Sequence, residues 1–180
     1  MINTDNTQLL IIDIQEKLIN ATFNKDNLIK KSEIIAKAAN ILNLPTCITE
    51  QYPQGLGKTI ENISKNLTEH VKYFEKVDFS ALNNPELVDY LKKQNRKNII
   101  ICGIETHICV YQTVKALLQN NYNVTVLKDI CGSRAEDEYI SALDCMKSLG
   151  AETKTCEMVL FELLKSARNP LFKSIQALIK

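Results

Sequence analysis

Short runs rich in apolar and β-branched residues alternate along this chain with stretches of helical periodicity, and that alternation limits the fold more than any other feature. The runs cover residues 8–13, 46–49, 71–74, 98–104, 124–127 and 152–156. After the first run, Leu28, Ile29, Ser32, Ile35, Ala36, Ala39 and Leu42 recur at steps of three and four, the spacing of one helix face. Pro85 opens another helix through Leu87, Val88 and Leu91. Helices are also expected over 110–118, 139–149 and 158–165, with a last one from Pro170 to Ile179. Strands that alternate with helices imply a parallel sheet joined by right-handed crossovers. Continuously apolar strands such as Ile99-Ile100-Ile101 suit a sheet covered on both faces. A length of 180 residues suits one domain spanning residues 1–180.

Composition excludes several classes. Hydrophobic residues make up 45% and charged residues 24%, close to the globular average, so disordered and fibrous readings fail. A net charge of +1 gives no electrostatic footprint for nucleic acid or an anionic membrane. No apolar run is long enough to span a bilayer. The first eight residues are polar and contain Asp5, unlike a secretory leader, so a cytoplasmic protein is expected. The six cysteines have no CxxC pair, and only His70 and His107 are available beside them. Reduced, mostly buried thiols are the expectation, with no zinc site.

Ligands of such sheets bind beyond the carboxyl ends of the strands. The residues there are Asp13, Glu50, Lys76 and the segment 103–109. Asp13 closes a buried strand. Lys76 follows the third run. Cys109 lies where the fourth strand gives way to a helix, so the helix dipole should lower its thiol pKa. The free N–H groups of that first turn can hold an oxyanion.

An Asp ending the first strand, a mid-chain Lys and the stretch Gly103-Ile104-Glu105-Thr106-His107-Ile108-Cys109-Val110 together resemble the isochorismatase-like cysteine hydrolases. The stretch from Thr49 to Gly57 and the ending Phe172-Lys173-Ser174-Ile175-Gln176 are similar to the isochorismatase-domain-containing subgroup. The resemblance implies a Rossmann-like α/β/α domain with three layers and a six-stranded, mostly parallel sheet. It implies an Asp13–Lys76–Cys109 triad with Cys109 as nucleophile, Asp13 as proton acceptor and donor, and Lys76 lowering the thiolate pKa and orienting the carboxylate. It also implies a cis Ile104–Glu105 peptide, and an oxyanion hole made by the N–H groups of Glu105 and Cys109. Amide C–N hydrolysis through a thioester is the expected chemistry, on a small-molecule substrate and without cofactor. The region after the second strand lacks the His of nicotinamidase metal sites, so no catalytic metal is expected.

Motif position makes Phe23, Gln51, Tyr52 and Phe79 candidate pocket residues, and Lys58 and Arg134 weak candidates for binding a dicarboxylate. His107 reads as a structural hydrogen-bonding residue and Glu105 as a turn or subunit contact. Resemblance implies a homo-oligomer, a dimer or tetramer, with the helix after Cys109 and residues 172–179 as contact surfaces. Two alternatives stay open: vinyl-ether hydrolysis of the isochorismate type, and a catalytically silent interaction or redox module.

Overall fold

The computed structural model describes residues 2–180. Six strands form one sheet: β1 (Thr7–Ile12), β2 (Thr46–Gln51), β3 (Lys72–Lys76), β4 (Asn98–Ile104), β5 (Asn123–Gly132) and β6 (Glu152–Lys154), in the spatial order β3-β2-β1-β4-β5-β6. Every ladder is parallel, so the sheet goes further than the mostly parallel expectation. The helices are α1 (Glu16–Ile19), α2 (Lys25–Ile41), α3 (Pro53–Leu56), α4 (Glu61–Ser64), α5 (Pro85–Lys93), α6 (Tyr111–Gln119), α7 (Glu136–Ser148), α8 (Cys156–Leu164) and α9 (Phe172–Ile179). Helix α2 packs with α8 and α9, while α6 packs with α7. Among the described residues, no helix is long and apolar enough to cross a membrane.

Local chemistry explains where elements begin. The Asn84 side chain accepts the Leu87 N–H at 3.1 Å, and Pro85 holds the first helical position of α5, where it sacrifices no hydrogen bond. Thr155 caps α8 by accepting the Met158 N–H at 3.3 Å. That cap ends β6 at Lys154, two residues earlier than the apolar run suggested. Strand β5 departs the other way. It runs on through Lys128 and Asp129 to Gly132, because Ile130 and Cys131 are still buried beyond the two polar residues.

Strands β1 and β4 are central, buried and adjacent, with Ile12 in register with Gly103. They come very close where they end. Gly103 has φ +146°, and a Cβ there would lie 2.1 Å from the Ile12 carbonyl O. Only glycine fits that contact. Between β1 and β4 the chain switches from building the sheet leftward to building it rightward. Crevices form at this kind of switch point in open α/β sheets.

Candidate active site

Asp13 directly follows β1, and Cys109 follows β4 in a wide turn over Thr106–Val110 that leads into α6. Both therefore stand at the switch point. Lys76 ends β3, two strands away from β1, in register with Gln51 of β2. Its long side chain crosses β2, and Nζ lies 2.7 Å from Asp13 Oδ2. The two side chains are 2% and 0% exposed. Removing either partner would strand a buried charge.

The pair is held from several directions. The Thr49 hydroxyl donates to Asp13 Oδ1 at 2.7 Å, and the Asp13 N–H donates to the Thr49 carbonyl at 3.1 Å. Lys76 Nζ also donates to Gln51 Oε1 at 2.6 Å and to the carbonyls of Asp78 and Phe79 at 3.3 and 3.2 Å. Those acceptors occupy the ammonium and fix its direction. Lys76 Nζ pairs with Asp13 Oδ2, while the Thr49 hydroxyl takes Oδ1.

Cys109 is buried and interacts with both members of the pair. Burial and the Asp13 carboxylate push its thiol up to about 12, against the opposing pull of Lys76. The direction reverses the expectation drawn from a helix N-terminus. Cys109 sits in a wide turn before α6, and desolvation there outweighs the favourable cation. The resting residue is a thiol.

The turn itself is tightly folded. The Glu105 carbonyl accepts the N–H groups of Ile108 and Val110 at 3.1 and 3.2 Å, with Cys109 between them. The Ile104–Glu105 peptide is cis. His107 Nδ1 lies 2.9 Å from the Ser133 hydroxyl, in keeping with the structural role expected of it.

The remaining candidates divide. Gln51 belongs to the site, but as a brace: it accepts from Lys76, and its Nε2 donates to the Val77 carbonyl at 2.5 Å. Tyr52 donates its N–H to the Lys76 carbonyl at 2.9 Å, and Phe79 meets Lys76 through its own carbonyl. The two residues are 56% and 53% exposed, beyond the ends of β2 and β3. Phe23 is 42% exposed and its ring lies 5.5 Å from that of Tyr139. Neither cation considered for a dicarboxylate is free. Lys58 pairs with Glu50 and Glu75 at 3.3 and 3.8 Å, and Arg134 pairs with Glu105 at 2.8 Å. Sequence reasoning missed Thr49 and Gln15. Gln15 is buried and bonds Gln51 twice, from Nε2 to the carbonyl at 3.0 Å and from the Gln51 N–H to Oε1 at 2.7 Å. The register of β1 on β2, which sets Thr49 beside Ile12, is what brings its hydroxyl to Asp13. Among the described residues, no group of three or more His, Cys, Asp or Glu could hold a metal ion.

The family model described as the isochorismatase domain matches residues 7–158. The chain belongs to the isochorismatase family. "Isochorismatase family protein 1A" of Dictyostelium discoideum is 39% identical over 175 residues, 94% of this chain and 84% of the relative. "Secreted isochorismatase effector Isc1" of Phytophthora sojae is 39% identical over 176 residues, covering 96% and 83%. A solved structure described as MAR1 ribonuclease from Caenorhabditis elegans superposes with a TM-score of 0.95 at 37% identity, covering 99% of this chain and 91% of that one. Membership in the isochorismatase family brings with it a hydrolase fold, and the resemblance drawn from Asp13, Lys76 and the 103–109 stretch holds.

Proposed function

We propose that this chain is a cysteine-dependent hydrolase of a small amide, with Asp13, Lys76 and Cys109 as its triad. The observation that carries the reading is the buried Lys76–Asp13 pair, 2.7 Å apart, with the Cys109 thiol against both. The Cys109 Sγ attacks the amide carbonyl while its proton passes to Asp13 Oδ2. The carbonyl electrons move onto oxygen, and that oxyanion rests on the N–H groups of Glu105 and Cys109. Collapse breaks the C–N bond, and Asp13 returns the proton to the departing amine. A thioester remains. Water then attacks it, giving a proton to Asp13, and the second collapse breaks the C–S bond, releasing a carboxylic acid while Asp13 returns that proton to Cys109 Sγ. Lys76 keeps a positive charge beside the transient thiolate and holds the carboxylate in line. A thiol this hard to ionise needs a base in contact with it, which favours direct transfer to Asp13.

The test is a panel of small amides followed by mass spectrometry, with trapping of the acyl-enzyme on Cys109. Wild type should turn over at least one amide, and Cys109→Ala and Asp13→Asn should both abolish it. Amide turnover that survives Cys109→Ala would end this reading. The same variants separate its rivals. Vinyl-ether hydrolysis should survive Cys109→Ala and fail in Asp13→Asn. RNA cleavage, suggested by the description of the Caenorhabditis elegans structure, is assayed on the same proteins. The net charge of +1 supports the amide reading over it. A cytoplasmic setting and assembly as a dimer or tetramer belong to the same proposal. The first suits six unpaired cysteines, and light scattering tests the second.

A further inference from the structure

We propose that Arg134, acting through Glu105, is a positioning residue for the oxyanion-binding turn. The inference rests on the proposed amide chemistry and adds to it. Arg134 follows the end of β5 and looks from sequence like a free cation for an anionic substrate. Its guanidinium is instead engaged. Nε donates to Glu105 Oε1 at 3.0 Å and Nη2 to Oε2 at 2.8 Å, a side-on pair, while the Arg134 backbone N–H donates to Oε1 at 3.1 Å. The Glu105 side chain is 10% exposed and that of Arg134 65%. Glu138 adds a second carboxylate near the guanidinium.

Three donors on one nearly buried carboxylate make a clamp, in contrast to a mobile surface pair. The carbonyl of the same residue is held by the Ile108 and Val110 N–H groups. Glu105 is thus gripped at both its side chain and its carbonyl, which leaves its N–H little freedom of direction. Ser133, the neighbour of Arg134, takes His107 of the same turn at 2.9 Å, and its carbonyl accepts the Phe23 N–H at 3.0 Å. Residues 133 and 134 therefore brace the turn at two points on either side of Thr106. An oxyanion donor is effective only when aimed at the position where charge develops, and small misplacements of such groups cost about 10²-fold in rate.

Two reactions of the same thiol test this without a known substrate. Acylation of Cys109 by p-nitrophenyl acetate passes through an oxyanion. Alkylation by iodoacetamide does not. Site-resolved mass spectrometry follows both at Cys109. Arg134→Gln should slow acylation about 10- to 100-fold while alkylation changes less than about twofold. Arg134→Lys should recover part of the loss. Glu105→Gln should resemble Arg134→Gln, and the double variant should be no slower than the worse single one, since both act through one contact. Equal slowing of both reactions would mean only a general disturbance and would overturn the proposal. So would additive single effects, or unchanged acylation in Arg134→Gln. Failure of the amide mechanism itself reads differently: Cys109 of the wild type would then alkylate without acylating.

Discussion

Replacing Asp13 by Asn should make Cys109 easier to ionise and, at the same time, useless as a nucleophile for amides. Burial and the Asp13 charge together push the thiol up to about 12. At pH 8 a group titrating there is ionised about 10⁻⁴ of the time. A neighbouring charge typically moves a titration by about 1–3 pH units, so removing Asp13 while keeping Lys76 should raise the thiolate fraction about 10- to 1000-fold. Asparagine keeps the shape and leaves Lys76 with its acceptors on Gln51, Asp78 and Phe79. The assay is the rate of iodoacetamide labelling at Cys109 against pH, read peptide by peptide so that exposed Cys145 does not interfere. The labelling midpoint should fall in Asp13→Asn while amide turnover disappears. A wild-type midpoint near or below about 8.5, the ordinary thiol value, would refute the argument that desolvation dominates this site. Slower labelling in Asp13→Asn would refute the role given to its charge.

Other perturbations follow from the same contacts. Lys76→Met leaves the fully buried Asp13 carboxylate without its cation and should cost about 3–5 kcal/mol, measured by chemical denaturation at neutral pH. Gly103→Ala would place a Cβ 2.1 Å from the Ile12 carbonyl at φ +146°, and should lower stability by about 4 kcal/mol or more or abolish soluble expression. Arg134 holds the Glu105 carboxyl below the usual carboxylate range. A depressed folded value contributes stability above the unfolded value of about 4.3 and loses it as pH falls through the folded one. The difference in urea midpoint between wild type and Arg134→Gln should therefore be present at pH 7 and shrink toward pH 3.

Much of this was legible in the chain, for physical reasons. Buried parallel strands need continuous apolar residues, so β1 and β4 stood out, and β4 has the limits expected. Helix α2 was visible through its repeating face, and its start lies three residues before the first periodic position. Edge strands carry weaker patterns. Strand β3 reads Lys-Tyr-Phe-Glu-Lys with only Phe74 and Lys76 buried, so its last two residues, including Lys76 itself, fell outside the expected run. Helices α1, α3 and α4 span four residues each, too few to show a period. For the site, strand-end position offered Asp13 and Lys76 only beside others such as Glu50, and it was the resemblance to a known family that joined them with Cys109. Thr49 and Gln15 could not be picked out, since their importance comes from pairings across strands and loops. The sign of the Cys109 shift also lay beyond the sequence, because it depends on how completely the folded chain excludes water.

Lys76 ends a strand and Asp13 directly follows one, whereas the exposed residues Tyr52, Val77 and Phe79 stand on connections beyond the strand ends. Under the proposed mechanism, the chemistry and the pocket rim are carried by different parts of one chain. The rim touches Lys76 through the backbone alone, by the carbonyls of Asp78 and Phe79 and the Tyr52 N–H, so its side chains are free to change where those main-chain bonds are kept. In a laboratory lineage, libraries confined to residues 52 and 77–79 are the economical place to search for new specificity.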